Sequence, residues 1–368
     1  MNIVVTGGAG FIGSSFLLSR VPHQPEHRFI TLDALTYAGL RENLALLEQY
    51  PNHQLMPCEL ADAEQTLGLL KELAPDAIVH LAAESHVDRS LRQPAPFIQS
   101  NVMGTFHVLE ACRHLQNMGR APLLLHVSTD EVYGQLPEGH APFRPGDRYA
   151  PRNPYAATKA AADQLVRGWQ SAYQLPIIVT HCTNNYGPRQ FPEKLIPFML
   201  SQTLQRKPLP LYGDGLHARD WLFVEDHVDG LWRALLRGTP GETYHFSAHD
   251  ERPNRDVVHM LLSLVADETG TPLQQLLPLI QHVPDRPAHD RRYGLDTATT
   301  RASLEWEPQT PFEQGLRQTV RWYLEHPDWM ERVRSEEHTR WLNTQYEGLH
   351  LHPAGAAPVK TSAQKVDA

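Results

Sequence analysis

Thr129, Asp130 and Glu131 stand side by side where the apolar run "LLLHVS" (123–128) ends. Adjacent acids after a strand are most often a solvated loop. At the carboxyl end of a strand in an open parallel sheet, where ligands bind, they become more interesting. One carboxyl group can hold a proton there while its neighbour is ionised, which gives a general acid and a general base within one reach if their environments push the two pKa values apart. A second pair, Tyr155 and Lys159, lies four residues apart in "NPYAATK". Asn153 and Pro154 suit an N-cap and a first helical position, so the pair begins a helix and shares one of its faces. An ammonium beside a phenol favours the phenolate, which makes Tyr155 a base for the proton of a hydroxyl group near neutral pH. Alone, such a pair is more often packing or solvated surface. Thr129 ending the preceding strand and a nucleotide motif upstream reverse that balance.

The upstream motif is "TGGAGFIGSSF", in which Gly8, Gly10 and Gly13 have the G-x-G-x-x-G spacing and Gly7 extends it. It follows a strand pattern and opens a helix. Such glycines let the backbone turn tightly against a pyrophosphate, whose charge sits on the free N–H groups of the helix start. The next strand ends at Asp33, placed to hydrogen-bond the adenosine ribose and to repel a 2′-phosphate, so the expected cofactor is NAD rather than NADP. A glycine turn without a ligand is the bland alternative, and the strand, helix and Asp33 together argue against it. "HLAAES" (80–85) ends another strand in small residues that leave room for a cofactor against backbone.

These groups need a frame that brings strand ends together. The runs "NIVVTG", "RFITLD", "DAIVHLA", "LLLHVST" and "PIIVTHCTN" read as buried parallel strands. "SSFLLSRV", "AEQTLGLLKELA", "FIQSNVMGTFHVLEACRHLQ" and "YAATKAAADQLVRGWQSAYQ" have the length and period of crossover helices. The βαβα order implies an α/β, Rossmann-like doubly wound parallel sheet over about 1–186. After "NNYGPRQ" the pattern loosens, as expected of a smaller C-terminal substrate-binding lobe over 187–348, interleaved because 219–248 reads as strand, helix, strand and rejoins the first domain. Residues 349–368, rich in Pro, Lys and small residues, read as a disordered tail.

The 368 residues exceed one ordinary core, and 41% hydrophobic with 20% charged residues is the composition of a soluble globular chain. A net charge of -9 disfavours a nucleic-acid partner. Cys58, Cys112 and Cys182 are far apart with no CxxC pair, so they read as reduced thiols. The start "MNIVVTGG" goes straight into a strand and no run has membrane-span length, so a cytoplasmic protein is expected. Histidines number 21 but show no H-E-x-x-H or similar spacing, so no metal is expected.

The glycine motif, "STDEVYG" and "YAATK" resemble the extended short-chain dehydrogenase/reductase superfamily. "VTGGAGFIGS", "LTYAG", "HLAAESHVDRS", "NNYGP", "FPEKLIP", "RDWLFVEDH" and "DRPAHDRRY" narrow the resemblance, in order and to about Gly348, to the dTDP-glucose 4,6-dehydratase family. That resemblance implies a lyase that oxidises a nucleotide hexose at C4, removes water across C5 and C6, and returns the hydride to C6, with tightly held NAD. It implies that Tyr155 takes the hydroxyl proton, that Thr129 bonds near the C4 oxygen, that Glu131 is the C5 base and that Asp130 is the acid at the C6 hydroxyl. NAD is implied to meet Gly7, Gly10, Phe11, Ile12, Gly13, Asp33, Ala34, Leu35, Thr36, Glu59, Leu60, Leu81, Ala82, Ala83, Ser100, Tyr155, Lys159 and Asn185. The sugar nucleotide is implied to meet Ser85, Thr129, Asp130, Asn184, Lys194, Leu195, Pro210, Leu211, Tyr212, Arg219, Asn254, Asp285, Arg286 and His289. Arginines 219 and 286 suit a diphosphate.

Two positions depart from the family. Glu59 stands where an Asp commonly meets the adenine, and Ala288 replaces a glycine in "DRPAHD". Three rivals remain: a dehydratase of a UDP-, CDP- or GDP-hexose, a sugar-nucleotide 4-epimerase, and an NAD-sensing regulator. An epimerase has no use for the Asp130 and Glu131 pair, and an idle regulator has no need to keep both Tyr155 and Lys159. The family forms homodimers, and the helices expected to start near Phe97 and Tyr155 have apolar surface for a two-fold contact.

Overall fold

The structure is a computed structural model that describes residues 1–333. The segment 349–368, expected to be a disordered tail, and the last part of the lobe expected to reach 348 lie outside the described residues. Twelve strands follow in chain order: β1 Asn2–Thr6, β2 Arg28–Asp33, β3 His53–Pro57, β4 Ala77–His80, β5 Leu123–Thr129, β6 Ile177–Cys182, β7 Asn184–Tyr186, β8 Leu209–Tyr212, β9 Ala218–Phe223, β10 Thr243–Phe246, β11 Glu251–Pro253 and β12 Ile280–Val283.

Seven of them form one parallel sheet in the order β10-β6-β5-β4-β1-β2-β3. The chain moves outward from β1 to β3, returns to the other side of β1 with β4, and moves outward again. The reversal between β1 and β4 is where an open α/β sheet has its ligand crevice. Helices cover both faces, so the inner strands read as unbroken apolar runs. Val5, Val79 and Leu125 point into one apolar layer, and Val4, Ile78 and Leu124 into the other. Each such buried aliphatic side chain contributes roughly 1.5–3 kcal/mol, and the summed layers hold the strand ends in register.

The helices sit where the periodicity places them. Phe11–Arg20 begins directly after the glycine turn. Ala63–Leu73 is capped by Asp62, which accepts from the Gln65 N–H at 3.0 Å. Pro154–Tyr173 is capped by Asn153, which accepts from the Ala156 N–H at 2.8 Å, a bond whose loss costs about 1 kcal/mol. The stretch expected as one helix from Phe97 has an inserted feature: Ala95–Phe97 runs into a widened π turn over Ile98–Gly104 before the regular helix Thr105–Asn117. Such a bulge re-aims side chains. Here it buries Asn101, which bonds both the N–H and the carbonyl of Glu84 and the Thr158 hydroxyl.

The second apolar cluster gathers Tyr186, Phe198, Trp221, Leu261 and Leu316 around the three-stranded sheet β11-β9-β7 and the pair β12-β8. The stretch 219–248, expected to return to the first sheet, divides. Strand β9 pairs with β7 and β11 in the smaller sheet. The helix Val224–Arg237 lays Trp232 against Phe16 and Phe29, and β10 extends the large sheet beside β6. Strand pairing, which periodicity does not encode, makes that division.

Candidate active site

The carboxyl ends of β1, β2, β4, β5 and β6 open on a cavity of 590 Å³. Its floor is the glycine turn. Gly7 has φ +70, and a Cβ there would lie 2.6 Å from the Ala82 nitrogen; a Cβ on Gly13 would lie 2.3 Å from the Gly7 carbonyl oxygen. Only glycine fits at either place, and the cradle so formed suits a pyrophosphate. Asp33 closes the other end. Its Oδ2 accepts from the Ala9 N–H at 2.9 Å and its Oδ1 from the Leu35 N–H at 2.8 Å. Burial pushes this carboxyl group upward, and the two N–H bonds pull it back.

Every residue assigned to NAD lines this cavity except Leu35. Leu35 sits at φ 53 with its side chain packed on the main apolar cluster, and its part is the N–H that it gives to Asp33. The cradle, the Asp33 carboxylate and the small residues Ala82 and Ala83 fit a dinucleotide. A Gly13→Ala variant is expected to purify with at least tenfold less NAD per chain and a lower melting temperature, read by absorbance of the acid-released cofactor and by calorimetry; an NAD content equal to the parent's counts against the cradle.

Thr129, Asp130, Glu131, Tyr155 and Lys159 all face the same cavity. The two acids differ sharply despite being neighbours. Asp130 is 3% exposed; its Oδ1 accepts from the Thr129 hydroxyl at 3.2 Å and its Oδ2 has no hydrogen-bond partner. Burial first, then the charge of Glu131, push its carboxyl group well above the ordinary range. Glu131 is only half-buried, and its Oε2 accepts from Asn153 Nδ2 at 3.2 Å. The Asn153 amide thus caps the Tyr155 helix with one end and holds Glu131 with the other, a role the sequence reading confined to the cap.

Tyr155 is buried and faces the same cavity as Thr129. Burial, then the nearby Glu131, push the phenol well above its ordinary value. Lys159, expected to favour the phenolate, is itself buried: its Nζ donates to the Val127 carbonyl at 2.9 Å, and burial pulls its ammonium down.

On the sugar side, Ser85, Asn184 and Lys194 line the cavity with Thr129 and Asp130. Leu195, Pro210, Leu211, Tyr212, Arg219, Asn254, Asp285, Arg286 and His289 do not. Pro210 and Leu211 are buried in the lobe, where Leu211 belongs to its apolar cluster, and Leu195 opens the helix Leu195–Leu204 beside it. The polar members form a second group just beyond. Arg286 donates to Asp88 at 2.6 Å, the Tyr212 hydroxyl donates to the same carboxylate at 3.4 Å, and buried Arg219 lies over the Tyr293 ring at 4.7 Å. Buried Asn254 Oδ1 and Arg286 Nε are without partners. Lys194, Arg219 and Arg286 all feel the charge of Glu131.

Other residues in and around the site had no assignment. Glu193 accepts from Tyr37 at 3.0 Å and from Arg89 at 2.9 Å, tying the Asp33 loop to the lobe; only "LTYAG" and "FPEKLIP" hinted at it. His217 stacks on His289 at 3.6 Å and 10°, and both rings bond Asp285. These three carry ligand-type atoms within 4.8 Å of one another, brought together by separate loops and so invisible to linear spacing. Parallel stacked rings place a shared ion out of both ring planes, which favours a hydrogen-bonded triad over a metal site. Ala288, in the same loop, has φ 52, a left-handed conformation that disfavours alanine relative to glycine by about 1 kcal/mol.

A dinucleotide cradle, a Thr–Tyr–Lys set and a nearby cationic subsite on a doubly wound sheet define an extended short-chain dehydrogenase/reductase. Residues 4–319 match the family model for GDP-mannose 4,6 dehydratase. The chain is 43% identical to dTDP-glucose 4,6-dehydratase 1 of Escherichia coli K12, over 95% of this chain and 99% of that one. It is 46% identical to the Neisseria gonorrhoeae dTDP-glucose 4,6-dehydratase, over 88% and 96%. The crystal structure of the Streptomyces venezuelae dTDP-glucose 4,6-dehydratase, solved with NAD bound, superposes with a TM-score of 0.82 at 39% identity, covering 91% of this chain and all of that one. The chain belongs to the dTDP-glucose 4,6-dehydratase family.

Proposed function

We propose that this chain is a hydro-lyase that converts dTDP-glucose to dTDP-4-keto-6-deoxyglucose with NAD held in the cavity above the glycine turn. The observation that carries the reading is the buried, half-partnered Asp130 beside the half-exposed Glu131, both within the Thr129–Tyr155 site. Bound NAD supplies the hydride acceptor for C4 and, later in the same turnover, the hydride donor for C6. The chain's own groups handle the protons. Tyr155, which lines the cavity with Thr129, takes the C4 hydroxyl proton. Glu131 removes the C5 proton, acidified by the C4 ketone, and Asp130, held in its acid form, protonates the departing C6 hydroxyl. Arg219, Arg286 and Lys194 supply positive charge for the diphosphate. A 4-epimerase needs Thr129, Tyr155 and Lys159 only, so a buried acid and a second carboxylate favour dehydration.

The same reading takes 1–186 with the return of β10 as the NAD-binding body, and the β7–β9–β11 region with its helices as the substrate lobe. It takes the chain as a homodimer through the helical stretch 95–117 and Pro154–Tyr173, where Ile98 and Tyr173 are exposed. It places the protein in the cytoplasm. Three buried free cysteines suit a reducing compartment, and among the described residues no helix is long and apolar enough to cross a membrane.

The test is turnover of the purified protein with dTDP-glucose and with UDP-, CDP- and GDP-hexoses, following 4-keto-sugar and NADH together. The expected result is 4-keto-6-deoxy product from the dTDP sugar in preference to the others, without accumulating NADH. NADH building up in step with product would contradict the internal hydride return, and equal turnover of another base would move the substrate assignment.

A further inference from the structure

The face of Pro154–Tyr173 that carries Tyr155 and Lys159 continues one turn further to Asp163, which is 0% exposed. Its carboxylate accepts four hydrogen bonds: His126 Nε2 at 2.9 Å, His181 Nε2 at 2.9 Å, Ser128 Oγ at 3.0 Å and the Tyr149 hydroxyl at 3.0 Å. The Nδ1 atoms of both histidines are buried without partners, so each ring meets the network through Nε2. Against the upward push of burial, the bonds from His126 and His181 hold Asp163 far below the usual carboxylate range. Its surroundings are the opposite of those of Asp130, whose Oδ2 has no partner and whose carboxyl group burial pushes up.

An anion so enclosed implies a cation. The ionisable groups that interact electrostatically with Lys159 are Asp163 from its own helix, His80 from β4, His126 from β5 and Cys182 from β6. Burial keeps both histidines and the Cys182 thiol neutral, so Asp163 is the anion among them. Arg167 also feels the Asp163 charge, and it donates to the Tyr149 hydroxyl at 3.3 Å.

We propose that Asp163 is a positioning residue for the reaction: the buried counter-charge that keeps Lys159 an ammonium on the Val127 carbonyl, beside Tyr155. This rests on the reading of Tyr155 and Lys159 given above, because the consequence is that proton transfer at the sugar C4 hydroxyl fails when the lysine is neutral.

The experiment uses the full-length holoenzyme labelled with 13Cε-lysine, the Lys159 signal being identified by its loss in Lys159→Met. In the parent, Lys159 should be protonated at about pH 7.5 despite its burial. In Asp163→Asn its pKa should fall by roughly 1–3 units. The alkaline limb of single-turnover NADH formation from dTDP-glucose should move to lower pH by the same amount, with KM little changed. A folded Asp163→Asn protein with both titrations unmoved overturns the proposal. So does a neutral Lys159 in the parent, a measurement that does not depend on how the variant folds. If the parent does not oxidise the sugar while the lysine titration shifts as stated, the functional reading fails and the counter-charge stands.

Discussion

Glu131→Gln is expected to separate the two halves of the reaction. Oxidation at C4, read as single-turnover NADH absorbance, should persist within about tenfold, while exchange of the C5 hydrogen with deuterated solvent and release of 4-keto-6-deoxy product fall by about 10²–10⁴. The geometry gives the reason. Glu131 accepts from Asn153 through Oε2 and is bonded through its N–H to Thr129 Oγ1 at 3.3 Å, and a glutamine oxygen can keep the first bond while leaving the second untouched. Tyr155, Thr129 and Lys159 therefore stay in place, and what disappears is a group able to accept a proton. The substitution also removes a negative charge that pushes the Tyr155 phenol upward, so the C4 step gains an easier ionisation. Undiminished dehydration by the variant would show that another group is the C5 base.

The frame of this site was legible because it repeats locally. Buried strands ending in Thr6, Asp33, His80 and Thr129 announce a common edge, since all belong to one parallel sheet and parallel strands end on the same side. The Asn153 cap and the four-residue step from Tyr155 to Lys159 are equally local. What could not be read is how neighbours of similar chemistry are treated by the surrounding packing. Asp130 and Glu131 are consecutive, yet one is enclosed with Oδ2 unpartnered and the other reaches Asn153. Lys159 was expected to serve the phenol, and its hydrogen bond goes to Val127 of another strand. The link from Tyr37 through Glu193 to Arg89 joins three remote segments, and no linear pattern encodes it. On the sugar side the motifs carried the assignment, so Leu211 entered the substrate set although its side chain belongs to the lobe's apolar cluster.

Asp130→Asn is expected to trade activity for stability, in a way that pH exposes. Asparagine keeps the shape and an oxygen for the Thr129 hydroxyl but has no proton to give to a leaving hydroxyl, so dehydration should fall by about 10²–10⁴ while C4 oxidation survives. Stability should change in the other direction. Burial, reinforced by Glu131, raises the carboxyl pKa of Asp130 in the folded chain above its unfolded value, so the native state binds the proton more tightly. Its contribution is fully present below the ordinary carboxyl range and is lost as pH rises through the folded pKa, where the parent must either ionise an enclosed oxygen or unfold. The variant has no such titration. Melting temperatures followed from about pH 5 to about pH 9 should therefore show the variant gaining on the parent as pH rises, and the pH at which that gain levels off reports the folded pKa. A gap that stays constant across the range would mean that Asp130 is ionised throughout, and the general acid would have to be sought elsewhere in the cavity.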